Sequence, residues 1–219
     1  MQKRLLLLLL LLASLMAKSQ ENVLGNWLIY FGNVQMNERW NWHNELQYRN
    51  YNAFGDLEQL LIRTGIGRNL TEDNNNLLLG YGYILSSNYI GDTDEKESFA
   101  EHRIYQQFIS KQTDWRVKLL HRYRFEQRFF ENDFRLRFRY FLSLNIPLNH
   151  KNMEDHTWYV SVYDELFVQT ENVIFDRNRL YGGLGFRVSS GLRFELAYMT
   201  QMFSAGSRDQ INMVCFLSL

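Results

Sequence analysis

Alternation of apolar and charged residues between positions 133 and 147 constrains the fold more than any other feature of this sequence. One set of alternate positions carries Phe134, Leu136, Phe138, Tyr140, Leu142, Leu144 and Ile146. Arg135, Arg137 and Arg139 occupy positions between them. A helix would mix the two sets, whereas a β-strand separates them because successive side chains point to opposite faces. At about 3.3 Å per residue the apolar face is roughly 20 Å long, enough to cross an outer membrane.

The same pattern recurs along the chain and predicts eleven strands. The predicted strands are 24–34, 38–51, 57–69, 76–88, 98–110, 114–130, 133–147, 156–169, 177–189, 191–203 and 210–219. Turn-forming residues separate many of them, at Asn52–Asp56, Thr71–Asn76, Gly91–Glu97, Asn149–Asp155, Ser189–Gly191 and Ser204–Asp209. Bacterial single-chain barrels usually have an even number of strands, so we expect ten or twelve.

Alternation alone does not distinguish a membrane barrel from a soluble sheet whose charged side faces water. The predicted strands often exceed ten residues, against a usual length of about 5–6. Their charged faces carry arginine and glutamate rather than lysine, and aromatic residues, which make up 16% of the chain, lie near strand ends as they do at membrane interfaces. We therefore predict an all-β fold, an antiparallel up-and-down transmembrane β-barrel of 10–12 strands with short turns at one rim and longer loops at the other. The alternative is a soluble periplasmic ligand-binding β-barrel.

Residues 1–19 are typical of a cleaved secretory signal peptide. A basic start precedes a run of leucines, and small residues follow the run. The run is too short to span a bilayer, which takes about 20 apolar residues. We expect cleavage after Ser19, or alternatively after Ala17, which makes residues 20–219 the barrel domain.

Charge and cysteine content exclude some classes of function. The 24 basic residues, less the three at Lys3, Arg4 and Lys18, leave 21 against 24 acidic residues in the exported chain. This balance argues against a nucleic-acid partner. Cys215 is the only cysteine, so the chain forms no internal disulfide and packing and hydrogen bonding must stabilise the fold.

Short motifs along almost the whole exported chain resemble the DUF2490 family of uncharacterised proteins. The matching pieces are Trp27, Glu45–Arg49, Gly80–Tyr83, Glu101–Arg103, His121–Arg128, Arg137–Tyr140, Tyr163–Glu165 and Asp176–Tyr181. The resemblance implies an outer-membrane β-barrel of a Gram-negative bacterium and implies no activity. The last strand also resembles those that the barrel-assembly machinery reads, although it ends in Leu219 rather than the commoner phenylalanine.

Assigning the polar face of each strand to the lumen predicts a charge network inside the barrel. Its members are Glu45, Arg49, Arg63, Glu101, Arg103, Arg122, Arg124, Glu126, Arg128, Arg135, Arg137, Arg139, Glu165, Arg179, Arg187, Arg193 and Glu195. A barrel of this size is largely filled by side chains, so charges inside it must pair. We favour a structural, salt-bridged lumen. Twelve arginines against five glutamates leave open a narrow anion-tolerant pore or a pocket for a small anionic solute.

Histidines suggest a rival function, a membrane-interface lipid-modifying enzyme or hydrolase. His102 and His121 fall on the lipid-facing side by alternation, and Glu101 and Glu126 lie close to them in sequence. Such enzymes need a nucleophile within reach of a histidine. We favour interfacial hydrogen bonding for both histidines, with an enzyme as the alternative and no catalytic residue assigned.

Metal and cofactor sites are not expected. His150, Glu154, Asp155 and His156 share one turn, but an acidic loop of this kind is usually solvated. The sequence therefore predicts an outer-membrane β-barrel that is structural or forms a narrow pore. Its expected partners are outer-membrane lipids, the barrel-assembly machinery and a small anionic solute.

Overall fold

The computed structural model describes residues 24–71, 74–171 and 173–219, and these form a closed barrel of eleven β-strands. The strands are β1 (Gly25–Gln35), β2 (Trp40–Asn50), β3 (Leu57–Asn69), β4 (Asn75–Tyr89), β5 (Lys96–Asp114), β6 (Val117–Phe129), β7 (Phe134–Pro147), β8 (Thr157–Gln169), β9 (Phe175–Ser189), β10 (Leu192–Phe203) and β11 (Gly206–Ser218). The described part of the chain contains no helix long and apolar enough to cross a membrane. The predicted signal peptide, residues 1–19, lies outside the described residues.

The strands pair in chain order, and β1 pairs with β11 to close the barrel. All the pairs are antiparallel except β1 with β11, which are parallel, with Gly25 opposite Gln210 and Asn33 opposite Ser218. The predicted β-barrel is confirmed, and so are the eleven segments counted in the sequence. The expectation of an even number is wrong. Because the strand number is odd, the first and last strands run in the same direction and meet in the slightly less stable parallel arrangement.

The barrel has two rims, which differ in the strand ends they carry. The C-terminal rim carries the turns after the odd-numbered strands and the end of β11, and the N-terminal rim carries the loops after the even-numbered strands. The two-residue turn Trp115–Arg116 and the long loop 148–156 both lie at the C-terminal rim, so the expected division into a short-turn rim and a long-loop rim is wrong. The two largest shifts of predicted boundaries are four residues each: β5 continues to Asp114, and β11 begins at Gly206, inside the predicted turn Ser204–Asp209.

Side chains alternate between the interior and the exterior of the barrel, as expected for pleated strands. In β7, Arg137 and Arg139 are buried inside, whereas Phe138 between them is 50% exposed on the outside. The apolar part of the interior is small and includes a cluster around Trp27 and Met199. Charged side chains therefore face inward and apolar side chains face outward, the reverse of a soluble globular domain.

Two inward-facing glycines make room for tyrosine rings on the neighbouring strands. Gly80 in β4 lies opposite Tyr105 in β5, and Gly185 in β9 lies opposite Tyr159 in β8. A Cβ atom at either glycine would overlap the tyrosine ring. Both tyrosines are almost fully buried, so the rings have little room to move aside.

Substituting Gly185 with alanine should therefore destabilise the barrel. The added methyl group presses on the Tyr159 ring, and overpacking of this kind costs about 1–3 kcal/mol. Gly182→Ala is the matched control, because a Cβ atom there has only Val162 Cγ1 within 4 Å, at an ordinary 3.9 Å. The measurement is the unfolding midpoint of each variant in detergent. Equal destabilisation by the two substitutions would contradict the packing argument.

Candidate functional site in the barrel lumen

The predicted charge network lies in and around the lumen. Twelve of its seventeen residues are buried, namely Glu45, Arg49, Arg63, Glu101, Arg103, Arg124, Glu126, Arg137, Arg139, Glu165, Arg179 and Glu195. The other five are partly exposed, namely Arg122, Arg128, Arg135, Arg187 and Arg193. Burying a charged group is unfavourable unless it pairs with an opposite charge or binds an ion.

Glu126 is at the centre of an ion network in the lumen and has no exposed surface. Its Oε2 accepts hydrogen bonds from Arg137 Nε at 2.8 Å and Nη2 at 2.6 Å, and its Oε1 accepts one from Arg139 Nη1 at 2.8 Å. Arg137 also donates to Asp176 at 3.0 Å, and Arg139 also donates to Glu165 at 2.6 Å. Each of these guanidinium groups therefore bridges two carboxylates, which offsets the cost of burying it.

A second cluster forms around Glu101 nearer the N-terminal rim. Arg128 donates to both oxygens of Glu101, at 2.6 and 3.0 Å, and Arg103 donates to Glu101 Oε2 at 2.7 Å. Six residues of the two clusters, namely Glu101, Arg103, Glu126, Arg128, Arg137 and Asp176, lie in the part of the lumen nearer the N-terminal rim, and we call them the plug. The plug holds three guanidinium groups and three carboxylates. Arg139 and Arg177 donate further hydrogen bonds to Glu126 and Asp176.

Asp176 and Glu58 pair with arginines but were not predicted from the sequence, because both lie at β-bulges. The register between β8 and β9 shifts so that Asp176 is skipped, and the register between β2 and β3 shifts so that Glu58 is skipped. A bulge re-aims a side chain against the simple alternation. Asp176 consequently pairs with Arg137, and Glu58 pairs with Arg208 at 2.9 Å. Strict counting of alternate positions could not find either residue.

The rest of the lumen is a cavity of about 440 Å³, which we call the cup. At the C-terminal rim its lining includes Gln35, Asn74, Lys111 and Ser218. Its deepest lining residues include Gln47, Arg49, Arg124, Arg139 and Arg179. The plug residues do not line it. The cup therefore reaches the C-terminal rim, and the plug residues lie outside its lining.

The cup is strongly electropositive. Its basic lining residues are Arg49, Arg63, Lys111, Arg122, Arg124, Arg139, Arg179 and Arg193, and its acidic lining residues are Glu45, Glu165 and Glu195. Glu165 accepts hydrogen bonds from both Arg139 and Arg122, at 2.6 and 2.7 Å, and Glu45 pairs with Arg63. Seven arginines line the cup against three carboxylates, and Glu126 of the plug pairs with Arg139 and lies 3.7 Å from Arg124, so arginines remain in excess in the cup.

Arg49 is held by neutral amides rather than by acids. Its guanidinium donates to Gln47 Oε1 and to Gln59 Oε1, the latter at 2.8 Å, and it stacks on the Trp27 ring at 3.7 Å. No ion pair within 4.0 Å joins it to a carboxylate of the described residues. An amide oxygen accepts a hydrogen bond but carries no net charge, so the guanidinium group of Arg49 is held in place without a carboxylate in direct contact.

The two candidate catalytic histidines face outward, away from the glutamates next to them in sequence. His102 Nδ1 lies 2.6 Å from the hydroxyl of Tyr81, and His121 Nδ1 lies 2.9 Å from the hydroxyl of Tyr140. Glu101 and Glu126 point into the lumen and belong to the plug. Sequence reasoning also missed Ser110, which lies opposite His121 in the β5–β6 register. His121 is nevertheless hydrogen-bonded to the tyrosine and not to that serine.

The acidic loop at the C-terminal rim contains two close polar contacts. His150 Nδ1 lies 2.7 Å from Glu154 Oε1, and Arg187 Nε lies 3.7 Å from Asp155 Oδ1. Across residues 24–71, 74–171 and 173–219, no group of three or more His, Cys, Asp or Glu side chains is arranged to hold a metal ion.

Comparison with known proteins identifies a family. The family model described as "Protein of unknown function (DUF2490)" matches residues 24–212. This range covers most of the chain and includes every strand except the end of β11. No curated protein matches the sequence, and no solved structure matches the fold.

Asp56 ties the β2–β3 loop to the rest of the N-terminal rim. Tyr89 donates a hydrogen bond to Asp56 Oδ2 at 2.7 Å, and Lys96 pairs with Asp56 while donating to the carbonyl of Leu57 at 2.9 Å. Burial opposes ionisation of the Asp56 carboxyl, but the hydrogen bonds from Lys96 and Tyr89 outweigh it and lower its pKa below the ordinary 3.8. Ionised Asp56 therefore stabilises the closed loop.

The contacts that Asp56 makes with Lys96 and Tyr89 should weaken at low pH. Because folding lowers the pKa of Asp56, the stabilisation is complete above the unfolded pKa of 3.8 and is lost as the pH falls through the folded pKa. Pepsin should cleave loop 51–56 of the wild type more slowly than that of Asp56→Asn at about pH 5, and the ratio of the two rates should approach one near about pH 2. A ratio that stays constant over this range would show that the ionised carboxylate does not hold the loop.

Removing the charge of Glu126 should destabilise the barrel strongly. Glu126→Gln leaves Arg137 and Arg139 without a shared carboxylate, and breaking a buried pair costs about 3–5 kcal/mol. Glu171→Gln makes the same chemical change in a partly exposed pair with Arg135, where the expected cost is about 0–1 kcal/mol. Denaturant unfolding of both variants in detergent measures the difference. Similar small losses in both would mean that the plug contributes little to stability.

Proposed function

The chain belongs to the DUF2490 family, which is described only as being of unknown function, and from the barrel itself we propose that it is an outer-membrane β-barrel with a closed lumen. In this proposal the barrel spans the membrane and does not conduct solutes through it. The observation that carries the proposal is a continuous band of exposed apolar side chains around the whole outer surface.

Every strand contributes to this apolar band. Its mid-strand members are Leu28, Leu46, Ile62, Leu79, Ile104, Tyr123, Phe138, Leu166, Leu180, Leu196 and Met213, each at least 37% exposed. Monomeric soluble proteins rarely expose contiguous apolar patches beyond a few hundred Å². An apolar exterior around a charged interior is the arrangement of transmembrane barrels. The band therefore supports lipid, rather than water, as the surroundings of the barrel.

Exposed tryptophans support a membrane interface at the C-terminal rim. Four of the five tryptophans, Trp40, Trp42, Trp115 and Trp158, are exposed there. Trp115 is 78% exposed and has a φ of 51°, a left-handed conformation that is unfavourable for a bulky residue. Tryptophan is enriched at the headgroup level of membranes, where its ring is half apolar and half polar. Trp115 is exposed, so packing inside the protein does not account for its strained backbone. Anchoring the barrel at the headgroup level does account for it.

The plug favours a closed lumen over the narrow-pore alternative. A solute crossing the barrel would have to displace Glu126 and its two arginines, all of them almost fully buried. The outward histidines favour interfacial hydrogen bonding over the enzyme alternative, because each is bonded to a tyrosine hydroxyl. In the same proposal, β11 is the strand read by the barrel-assembly machinery.

The location is tested by fractionating cell envelopes and measuring the gel mobility of the protein before and after boiling. We expect the protein in the outer-membrane fraction and a mobility that changes on heating, since membrane barrels stay folded in unheated detergent. A protein that remains in the soluble periplasmic fraction with a single mobility would overturn the proposal.

Substituting a charged residue into the apolar band tests whether the outer surface of the barrel faces lipid or water. Leu196 is 58% exposed, and its cross-strand neighbours Leu184 and Met213 are also apolar and exposed. In lipid, Leu196→Arg should cost about 2–4 kcal/mol and lower the yield of membrane-inserted barrel. Val173→Arg, in the loop after β8, is the control and should have no effect. In a soluble barrel, both substitutions would be tolerated equally.

A further inference from the structure

We propose that the cup binds a small organic oxyanion, a carboxylate or phosphate carried on an apolar or aromatic body, which enters from the C-terminal rim. The inference rests on the closed lumen proposed above but not on the membrane location. Its first support is the charge imbalance, because seven arginines and three glutamates line one cavity. An uncompensated buried charge is costly, so a cavity of this kind favours an anion.

Three arginines that line the cup each have one buried guanidinium nitrogen without a hydrogen-bond partner in the described part of the chain. Arg63 and Arg124 are 4% and 3% exposed, yet Arg63 Nε and Arg124 Nη1 have no hydrogen-bond partner among the described residues. Arg124 Nη1 lies 3.7 Å from the nearest carboxylate oxygen, that of Glu126, which is too far for a hydrogen bond. Nε of Arg122 is unpartnered in the same way. The lining also holds two acceptors without a partner in the described ranges, Glu45 Oε2 and Asn145 Oδ1. Guanidinium groups only donate, so an oxyanion is the ligand that suits the three arginines.

Amide partners keep two of these guanidinium groups in place without neutralising them. Arg124 donates Nε and Nη2 to Gln107 Oε1, at 2.8 and 2.5 Å, and Arg49 is held by Gln47 and Gln59. In the plug, by contrast, arginines are held by carboxylates. The cup therefore keeps oriented positive charge available, which is what an anion-binding site requires.

The wall of the cup fits the rest of such a ligand. Phe31 stacks on Phe216 with ring centroids 5.2 Å apart, and Phe141 packs on Tyr163 at 4.7 Å. Arg122 lies over the Phe141 ring at 4.3 Å, so a donor and an apolar surface stand side by side. A cavity of about 440 Å³ is within the range of small-molecule sites, which combine aromatic walls with a few polar groups.

Calorimetric titration of the purified full barrel in nonionic detergent tests the inference. The probes are benzoate, phenyl phosphate, inorganic phosphate and benzamide, the last being a neutral analogue of benzoate. We expect benzoate or phenyl phosphate to bind at least about tenfold more tightly than benzamide, because hydrogen bonds between charged groups are the strong ones. The tighter of the two identifies the head group. Inorganic phosphate binding as tightly as phenyl phosphate would overturn the role of the aromatic wall, and benzamide binding as tightly as benzoate would overturn the anion site.

Variants locate the binding in the cup. Arg49→Gln and Arg124→Gln should each weaken binding about tenfold, whereas Arg135→Gln, outside the cup at the N-terminal rim, should leave it unchanged. Without ligand, the first two variants should unfold at a higher temperature than the wild type, since each removes a buried charge that is not hydrogen-bonded to a carboxylate. Unchanged binding in both, or a lower unfolding temperature in both, would overturn the inference. Because the titration uses folded barrel in detergent, its outcome is separate from where the protein resides in the cell.

Discussion

Glu126, a carboxylate with no exposed surface, accepts hydrogen bonds from two arginines on the neighbouring strand, and the barrel interior depends on this interaction. Strand alternation sends every second side chain inward, and in this chain many of those side chains are charged. Inside a narrow barrel they can only pair with one another. Arginine suits this task better than lysine, because its planar fork binds two carboxylates at once. Arg139 does so by joining Glu126 to Glu165.

The same residue types produce two different environments in two parts of the lumen. In the plug, arginines are held by carboxylates. Arginines that line the cup, such as Arg49 and Arg124, are held by glutamine oxygens instead. Exchanging a carboxylate for an amide preserves the orientation of the guanidinium group but leaves its charge unmatched. The plug is consequently held together by ion pairs, whereas the cup is open and electropositive.

Much of this arrangement could be predicted from the sequence, because a two-residue period determines which side chains point inward. Glu126 and Arg137 could be assigned to one face in this way, and the register places them opposite each other. Asp176 and Glu58 could not, since they lie at β-bulges, where the period is interrupted. The odd strand number could not be predicted either, because barrels of this kind usually have an even number. With eleven strands the barrel closes through the parallel pairing of β1 with β11, which is seen only in the structure.

The alternating pattern also does not predict which polar side chain binds each arginine. The pairing of Arg124 with Gln107 depends on strand register and side-chain reach, not on the pattern of either strand. The division of the lumen into plug and cup follows from these partners, so it emerges only in three dimensions.

Planar-bilayer conductance of the purified barrel tests the central claim most directly, because the claim is that the plug closes the lumen. The ion network around Glu126 and Glu101 predicts that inserted barrels carry no steady current. A steady, anion-selective current through single inserted barrels would contradict the closed lumen and would make the arginine-rich cup the entrance of a pore.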